Sequence, residues 1–415
     1  MSDLLNVDTA LENILDSVSA LPAETISLPE AHKRVIAEDI VSPIDLPPFD
    51  NSAMDGYALH CEDSTAASLA NPATLPVVMD VLAGSAPSGQ LQRGQAARIM
   101  TGAPIPAGAN AVIPVEDTDD DWLKGDTVAA PAQVQLYRSL RCGENIRRAG
   151  ENIAQGDSVM RAGTVIGPAE IGMLAGIGCA KVAVIRQPKV VILSSGDELV
   201  DIHHPLKPGQ IRDTNSYTLA GLVRQAGGIP IRLPIAADTL TSIRALYRRA
   251  LEINPDMVIS TAGVSVGAAD LVRVVMDELG DIDFWRINMR PGKPLAYGRL
   301  RGVPFFGLPG NPVSTMVTYE VLVRPALAKI AGREIKQRAI QATLADDMKS
   351  DGRRSYNRVT LQQGADGLIA HSTGIQSSGA LMSMVLADGL AVIPEGRTFL
   401  PVGAVVDVML LRELD

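Results

Sequence analysis

The sequence predicts a multidomain protein in which a three-layer α/β domain is combined with an N-terminal region, a small inserted β-domain and a C-terminal β-domain. Its 415 residues exceed what one compact core usually holds. Residues 181–330 alternate apolar strands with amphipathic helices, which is typical of a parallel sheet covered by helices on both faces. Residues 57–140 and 335–415 hold short apolar runs separated by Gly and Pro, which is typical of small β-domains.

The N-terminal region begins with a predicted helix over residues 3–20, where leucine, isoleucine and valine recur near helical spacing. A short helix and a strand follow over 28–40, before a Pro-rich break. Residues 143–178 combine polar turns, a strand and a helix and so resemble the first forty residues in their pattern. We therefore expect them to return and pack against those residues. The predicted domains are therefore 1–50 with 141–180, 51–140, 181–330 and 331–415.

The other elements follow from the apolar runs and from the turn residues that bound them. In the inserted β-domain, strands are predicted at 74–84, 95–102, 110–118 and 126–136. In the α/β domain, strands are predicted at 181–185, 189–196, 229–238, 255–263, 282–289, 294–300 and 303–310, and helices at 213–228, 241–253, 268–280 and 311–332. In the C-terminal domain, strands are predicted at 367–372, 388–394 and 403–411.

Charge and composition exclude several classes of function. A net charge of −10 and an aromatic content of 3% argue against a broad nucleic-acid surface. The chain holds no uncharged apolar run long enough for a membrane span, and its start lacks the features of a signal peptide, so we expect a cytoplasmic protein with no membrane partner. Cys61, Cys142 and Cys179 lie far apart, which predicts buried thiols in a reducing compartment and neither a disulfide nor a zinc site.

The run VISTAGVSVGAAD, residues 258–270, leads from an apolar strand into a loop of small residues that ends on an acid. Gly263, Ser265 and Gly267 let a ligand approach the backbone closely, and the exposed N–H groups of such a loop favour a bound anion. Asp270 stands at the far side of the loop. A carboxylate beside an anion makes chemical sense mainly when a cation lies between them.

Other polar residues follow further strands of the α/β domain, at the sheet edge where ligands bind. They are Ser195, Gly196, Asp197 and Glu198 in SSGDEL, Arg290 and Lys293 in MRPGKP, and Gly310, Asn311 and Ser314 in GLPGNPVS. Together these residues predict a phosphorylated ligand with Mg²⁺ between phosphate and carboxylate, because Mg²⁺ prefers oxygen ligands. Each motif alone has a structural alternative, such as a tight turn, a charged first helical turn or a surface charge.

A second group of candidates lies outside the α/β domain. Asp55 in PPFDNSAMDGYAL and Thr101 in RIMTGAPIP stand in segments that are too small and polar for a core, yet too apolar for a solvated linker. Asn110 and Asp117 are better explained as residues of turns. We therefore take Asp55 and Thr101 as functional candidates.

Eight motifs, in this order, resemble the molybdopterin molybdenumtransferase family, which includes bacterial MoeA and the C-terminal region of gephyrin. The resemblance extends over about residues 3–413, and its motifs are DNSAMDGYA, RIMTGAPIP, GENIRRAGENI, GDEL, GQIRDTN, GVSVGAAD, PGKP and GLPGNPVS. It implies an elongated four-domain subunit whose α/β domain binds molybdopterin. It also implies a homodimer whose active site is shared between the α/β domain of one subunit and the N-terminal domains of the other.

The resemblance further implies an enzyme that transfers molybdenum from molybdate into adenylylated molybdopterin, releases AMP and depends on Mg²⁺. The implied catalytic residues are Asp55, Thr101, Glu198, Asp270 and Lys293, and the implied metal ligands are Asp197, Glu198 and Asp270. The implied substrate-binding residues are Ser195, Gly196, Gly263, Ser265, Gly267, Arg290, Gly310, Asn311, Ser314, Arg353 and Ser377. No Ser/His or Cys/His pair is evident, so we expect no covalent enzyme intermediate.

Three positions depart from the family pattern. Asn152 in GENI replaces the usual acid. The Asn side chain keeps a hydrogen-bond acceptor but lacks the negative charge. Arg290 stands where Lys is common and offers a planar fork that suits oxyanions. Ala262 stands where a second Gly is usual. These departures leave a catalytically degenerate paralogue as an alternative.

Two other functions compete with the insertase. The same fold could serve as a molybdopterin adenylyltransferase, although that activity needs only the α/β unit, or the chain could be a scaffold. The expected partners of an insertase are a molybdopterin adenylyltransferase and factors that mature molybdoenzymes. The sequence does not distinguish molybdenum from tungsten.

Overall fold

The computed structural model describes residues 4–121, 129–261, 269–334 and 339–412. In chain order its first elements are α1 (Val7–Asp16), β1 (Ala23–Ser27), β2 (Ile40–Val41), β3 (Asn51–Ser52), β4 (Gly56–Leu59), β5 (Ser68–Val81), β6 (Ala96–Ile99), β7 (Ala111–Pro114), β8 (Gln133–Arg138), β9 (Ile146–Arg147), β10 (Ser158–Met160), α2 (Pro168–Gly176) and β11 (Lys181–Ile185). The next are β12 (Lys189–Ser194), β13 (Leu199–Val200), β14 (Ile211–Arg212), α3 (Thr214–Gln225), β15 (Ile229–Arg232), α4 (Leu240–Glu252), β16 (Met257–Thr261), α5 (Ala269–Leu279), β17 (Gly280–Arg286), β18 (Met289–Arg290), β19 (Pro294–Leu300), β20 (Val303–Leu308), α6 (Pro312–Thr318) and α7 (Arg324–Ile330). The last are β21 (Ala339–Leu344), β22 (Met348–Lys349), β23 (Arg354–Gly364), β24 (Gly367–Ser372), α8 (Leu381–Leu386), β25 (Gly389–Ile393), β26 (Phe399–Leu400) and β27 (Val405–Leu410).

The N-terminal region is built from two separate stretches of chain. Strand β2 pairs antiparallel with β10, and Leu28 and Ile36 share a core with Ile166 and Leu174. The expected return of residues 143–178 onto the first forty residues is therefore confirmed. Strand β11 pairs with β1 and not with the α/β sheet in which the sequence analysis places it.

Helix α1 is shorter than the predicted helix over 3–20 because its ends are capped. The Asn6 side chain accepts a hydrogen bond from the Asp8 N–H (2.8 Å) before the first turn, and Ser17 closes the last turn. The apolar face of α1 contacts α7 and joins the core of the α/β region. The domain boundaries themselves stay a prediction.

The inserted region, residues 51–140, folds around a five-stranded sheet in the order β7-β4-β6-β5-β8 within its described part. The chain enters this region through β3 and leaves it towards β9, and these two short strands pair antiparallel. We call the β3–β9 pairing the neck. The inserted region is thus attached through two adjacent segments of chain.

The expectation of three free thiols is wrong. Cys61 and Cys142 form a disulfide with a Cα–Cα distance of 5.2 Å, and Cys179 is the free cysteine. Their separation of 81 residues conceals the pairing in the sequence, because the fold of the inserted region brings its two ends together. Cys61 is buried as predicted, whereas Cys142 is exposed.

The α/β region has the three layers that the sequence predicts. Within its described residues six strands form one sheet in the order β15-β12-β16-β20-β19-β17. Along β12, Val190 and Ile192 face a core on one side of the sheet, while Val191 and Leu193 face a core on the other. Helices cover both faces, which confirms the predicted fold class.

The sheet is mixed, however, and not parallel throughout. Strands β12, β15, β16 and β20 are parallel, whereas β19 pairs antiparallel with both β17 and β20. The physical reason is the connection: no helix separates residues 280 to 308, so successive strands there turn back on each other as hairpins. The predicted strand 282–289 is correspondingly divided into β17 and β18.

The long helix predicted at 311–332 is one continuous helical run whose central segment is not α-helical. Helix α6 continues through a π-helical segment, Tyr319–Val323, into α7. Among the described residues, no helix is both long and apolar enough to span a membrane.

The C-terminal region forms a closed ring of strands, as expected for a barrel-like domain. Strand β23 pairs with β24 and β25, and the pairings continue through β21 and β27 until the ring closes. Strand β18 of the α/β region joins this ring by pairing parallel with β23. This pairing places the two regions side by side.

We predict that Gly56→Ala destabilises the inserted region. A Cβ atom at Gly56 would lie 1.8 Å from the Ile113 carbonyl oxygen, so the β4–β7 pairing would have to separate. Overpacking of this kind costs about 3 kcal/mol, and hydrogen exchange of the inserted region should show that loss of local stability. Gly89→Ala is the matched control, because no atom lies within 4 Å of its added Cβ; equal protection in the two variants would contradict the prediction.

Candidate functional site

A cavity of about 740 Å³ lies where the α/β region meets the C-terminal region. We call it the cationic groove. Five residues predicted for the site line it: Arg290, Lys293, Ser314, Arg353 and Ser377. The groove also contains residues that the sequence analysis did not propose, namely Lys349, Asn357, Arg358 and Gln376.

The β18–β23 pairing builds one wall of the groove. Met289 lies opposite Arg354 and Arg290 opposite Ser355 in this two-residue register. The Arg353 guanidinium donates to the Met289 carbonyl oxygen (3.1 Å) and forms an ion pair with Asp351.

Beyond Arg290, the chain needs a glycine at position 292. Its φ is +109°, and a Cβ atom there would lie 2.4 Å from Thr318 Oγ1. Gly292 thereby lets the turn lie against the α6 helix, and Lys293 follows it on the groove side. The run MRPGKP thus forms a turn that presents two cations, Arg290 and Lys293.

Arg358 is the best-buried cation of the groove, with a residue exposure of 1%. Its Nε donates to Ser383 Oγ (3.1 Å), and its Nη2 donates to the carbonyl oxygens of Ser377 (3.2 Å) and Ile375 (3.4 Å). Burial, and to a lesser degree the charge of Arg290, lowers the pKa of Arg358 to about 10. Among the described residues no carboxylate forms an ion pair with it, so this buried positive charge lacks a counter-ion.

An unsatisfied hydrogen-bond donor lies close by. The Asn357 side chain lines the groove, and its buried Nδ2 has no hydrogen-bond partner among the described residues. Buried polar groups are normally paired, and an N–H donor beside several cations can pair with the oxygen of an anion. The groove therefore has the chemistry of an oxyanion site.

Sequence reasoning chose Arg353 from the run DGRRSYNR but missed Arg358. The run contains three arginines, and only the fold distinguishes them. Arg354 forms an ion pair with Asp8 (2.6 Å), Arg353 pairs with Asp351, and Arg358 alone is left without a carboxylate partner among the described residues. The letters of the run carry no signal that separates these three environments.

The GLPGNPVS loop lies beside the groove at the start of α6. Thr315 Oγ1 donates to the Pro309 carbonyl oxygen (2.5 Å), and the Asn215 side chain donates to the Gly310 carbonyl oxygen (2.7 Å), so the loop is fixed from two sides. Asn311 is the N-cap residue, and its side chain makes no capping bond. Ser314 is buried and lines the groove.

Acidic residues gather at the carboxyl end of β12. Gly196 has a φ of +148°, and the Glu198 carboxylate folds against it, so that a Cβ atom at Gly196 would lie 2.6 Å from Glu198 Oε2. Asp197 Oδ1 accepts a hydrogen bond from the Asp238 N–H (3.1 Å). Ser195 is buried at the end of the strand. We call Asp197, Glu198 and Asp238 the acidic cluster.

Asp238 was not proposed from the sequence. Its Oδ1 is buried without a hydrogen-bond partner among the described residues. Burial raises the pKa of Asp238, and the negative charges of Asp197 and Glu198 raise it further. A lone acid at the end of the predicted strand 229–238 does not reveal this in the sequence, because the pairing of Ser195 with Ala236 in the fold brings Asp238 beside Asp197.

Four predicted site residues fall outside the described part of the chain. Gly263, Ser265 and Gly267 lie within residues 262–268, and the side chain of Asp270 is also outside it, although its backbone belongs to α5. Their assignment stays a prediction.

Asp55 and Thr101 do come together, as a pair on the inserted region. The Thr101 N–H donates to Asp55 Oδ1 (2.7 Å), and both residues are exposed. No described hydrogen bond or ion pair of either residue reaches the cationic groove of the same chain. Asn152 is exposed in a separate turn, where its N–H donates to the Leu46 carbonyl oxygen (3.1 Å).

We predict that Asp238→Asn raises the Tm of the metal-free protein at about pH 7.5. A carboxyl whose pKa is raised by folding favours its protonated form, so its ionisation above the ordinary value of 3.8 destabilises the folded state. The gain should shrink as the pH falls towards 3.8, where the carboxyl is itself protonated. Glu12→Gln, on the exposed side of α1, is the control, and a gain from Asp238→Asn that is equal at both pH values would contradict this account.

Three family models match the chain in order. They are described as "MoeA N-terminal region (domain I and II)" over residues 5–178, "Probable molybdopterin binding domain" over 191–329 and "MoeA C-terminal region (domain IV)" over 341–411. The cationic groove combines residues from the second and third of these matches.

Curated relatives and solved structures agree with the models. The chain is 36% identical over 411 residues to the molybdopterin molybdenumtransferase of Haemophilus influenzae, covering 98% of each chain. It is 37% identical over 418 residues to that of Nostoc sp., covering 99% of this chain and 93% of the relative. A crystal structure of the MoeA protein from Pyrococcus horikoshii superposes with a TM-score of 0.84 at 35% identity, covering 99% and 100% of the two chains. The chain belongs to the MoeA family of molybdopterin molybdenumtransferases.

Proposed function

We propose that this transferase of molybdenum cofactor biosynthesis moves molybdenum from molybdate into the dithiolene of adenylylated molybdopterin and releases AMP. The observation that carries the proposal is Arg358, a buried guanidinium without a counter-ion among the described residues, in a groove with Arg290, Lys293 and Arg353. Molybdate is a dianion, and it supplies the counter-charge that this groove lacks. Asn357 Nδ2 offers a further hydrogen bond to one of its oxygens.

The insertion exchanges one ligand set for another without redox chemistry. Two Mo–S bonds form to the dithiolene, and one oxo group leaves as water with the two thiol protons. The cations of the groove hold the oxyanion while this exchange proceeds, and Ser377 and Ser314 line the same space. No protein nucleophile takes part.

The phosphates of the substrate belong at the neighbouring strand ends. The start of α6 at Gly310–Ser314 favours an anion because helix N–H groups point towards it. The loop 262–268 lies outside the described residues, and we assign it to the same phosphates from its sequence alone. Release of AMP breaks the phosphoanhydride, with a water oxygen forming the new P–O bond.

Mg²⁺ fits the acidic cluster. Asp238 Oδ1 is buried without a hydrogen-bond partner in the described part of the chain, and three carboxylates that repel one another gain from a shared cation. Asp197, Glu198 and Asp238 would hold the ion, with Asp270 as a fourth candidate. When bound, Mg²⁺ polarises the phosphoanhydride as a Lewis acid.

The homodimer that family resemblance implies would complete the site. Asp55 and Thr101 form an exposed pair with no described contact to the groove of their own chain. We assign them to the groove of a second copy, where Asp55 positions water or the dithiolene. An adenylyltransferase that loads the substrate, maturation factors that accept the product, and a cytoplasmic location complete the proposal.

The insertase proposal is tested by AMP release from adenylylated molybdopterin as molybdate is titrated with Mg²⁺ present. We expect molybdate-dependent turnover by the natural chain and a change of no more than a few-fold in Asn152→Asp, because Asn152 is exposed and contacts neither the groove nor the acidic cluster. Turnover by Asn152→Asp alone would indicate a degenerate paralogue. Binding of the nucleotide without AMP release in either protein would favour a scaffold.

Lys293→Ala should weaken molybdate binding by about tenfold or more, since a hydrogen bond to a charged group contributes about 1.5–3 kcal/mol. Calorimetric titration of the metal-free protein measures this without turnover. Lys189→Ala is the matched control. Lys189 is an exposed lysine at the amino end of β12, the end away from the acidic cluster. Equal affinities in the two variants would remove the groove from molybdate binding.

A shared site predicts complementation between two impaired variants. At molybdate concentrations well below saturation, Asp55→Asn and Lys293→Ala should each retain no more than about a tenth of the natural activity alone. After subunit exchange, half of the dimers are mixed and each holds one intact site, so about a quarter of the natural activity should return. No recovery, with exchange confirmed by native mass spectrometry, would contradict a site formed across two subunits.

A further inference from the structure

The disulfide between Cys61 and Cys142 closes the base of the inserted region. The two Cα atoms are 5.2 Å apart, Cys61 is buried and Cys142 is exposed. We propose that this pair is a reversible redox modification site, oxidised by a peroxide and reopened by a dithiol reductant. The proposal concerns the state of the thiols and stands apart from the proposed transferase activity.

Hydrogen bonds other than the disulfide hold the two cysteine segments together. Asn110 connects them directly, because its Oδ1 accepts from the Cys61 N–H (2.6 Å) and its carbonyl oxygen accepts from the Gly143 N–H (2.7 Å). Ser64 makes a second connection: its Oγ donates to the Cys61 carbonyl oxygen (2.7 Å) and accepts from the Leu140 N–H (2.9 Å). The two thiols therefore stay close when the bond is reduced.

A third connection lies beside the cysteines. Arg138 donates to Asp117 (2.5 Å) and to Glu144 (2.7 Å), and the Glu144 carbonyl oxygen accepts from the Val112 N–H (3.0 Å). The segment that carries Cys142 is thus attached to the inserted region on both sides of the sulfur. Closing the disulfide requires little movement of the backbone, which favours fast and reversible exchange.

The difference in exposure assigns the two sulfurs separate roles. The Cys142 thiolate attacks the peroxide O–O bond, which forms a sulfenic acid and releases one oxygen as water after protonation. The Cys61 thiolate then attacks the sulfenic sulfur, so that the S–S bond forms and a second water leaves. Two thiols lose two electrons and two protons, and one peroxide becomes two waters. A dithiol reverses the reaction and is itself oxidised to a disulfide.

The bond lies next to the neck and so to Asp55. The Ala53 N–H donates to the Asn145 carbonyl oxygen (2.9 Å), which links the segment after Cys142 to the segment before Asp55. The oxidised form therefore cross-links the two segments that carry the inserted region. The consequence for activity rests on the proposed function, whereas the thiol chemistry does not.

The test uses the purified full chain, reduced, freed of reductant and then treated with hydrogen peroxide. After alkylation, the reduced chain should carry three alkyl groups and the oxidised chain one, with peptide mapping showing a Cys61–Cys142 cross-link and a free Cys179. Treatment with dithiothreitol should restore three. Three alkyl groups after peroxide, or a cross-link through Cys179, would overturn the proposal.

Two variants separate the roles of the sulfurs. Cys179→Ser should form the same cross-link, whereas Cys142→Ser should keep two alkylatable thiols after a short peroxide exposure because Cys61 is buried. Hydrogen exchange at residues 61–64 and 140–144 should be alike in the oxidised and reduced chains. A tenfold rise in exchange on reduction would show that the bond, and not the hydrogen bonds, holds the segments together.

A bound metal is the competing outcome. A carboxylate oxygen of Glu62 lies within 4.8 Å of both sulfurs, and two thiolates with one carboxylate could bind Zn²⁺. Thiols that resist both alkylation and peroxide until a chelator is added, together with one zinc per chain, would replace the redox site with a metal site. Neither result depends on whether the chain releases AMP.

Discussion

The candidate site depends on one short strand pairing. Strand β18 contributes only Met289 and Arg290, yet its register with β23 joins the edge of the α/β sheet to the C-terminal ring of strands. Arg353 reinforces the contact through the Met289 carbonyl oxygen. Without this pairing Arg290 and Lys293 would belong to one surface and Arg358 to another. The groove is therefore a product of how two regions meet, and neither region contains it alone.

Charged side chains gather in two groups, although Asp347 also lines the groove and Asp351 pairs with Arg353. The chain as a whole carries −10, yet Arg290, Lys293, Lys349 and Arg358 gather in one groove. The acidic cluster gathers at the carboxyl end of β12. Each group is unfavourable by itself: burial lowers the pKa of Arg358, and burial together with the neighbouring negative charges raises the pKa of Asp238. Such paired costs are typical of sites that bind charged ligands.

Much of the architecture was accessible from the sequence because it depends on local patterns. The strands 181–185, 294–300 and 367–372 have the predicted bounds, since apolar periodicity and turn residues fix them locally. Pairing between distant elements was less accessible. Strand 181–185 pairs with β1, and β19 runs antiparallel, because partners and direction depend on the whole chain.

The residues of the candidate site also divide into those that sequence motifs reveal and those that only the fold reveals. Motifs with unusual composition, such as MRPGKP and GLPGNPVS, stood out and do line or border the groove. Asp238 and Arg358 had no such mark: one is an acid at the end of an ordinary predicted strand, and the other is one arginine among three. Within the described part of the chain, Asp238 has a buried carboxylate oxygen without a hydrogen-bond partner and Arg358 is a buried cation without a carboxylate partner, and both are properties of the fold. The Cys61–Cys142 bond was missed for a related reason, since 81 residues separate its ends.

The neck has a mechanical consequence. Because β3 and β9 are adjacent, the inserted region is joined to the rest of the chain at one place, and any rotation of the region would have its hinge there. Asp55 and Thr101 lie on the same side of that hinge and are bonded to each other, so a rotation carries both without changing the distance between them. A rotation of the inserted region would therefore move Asp55 and Thr101 together, towards or away from a groove, and would leave the geometry between them unchanged.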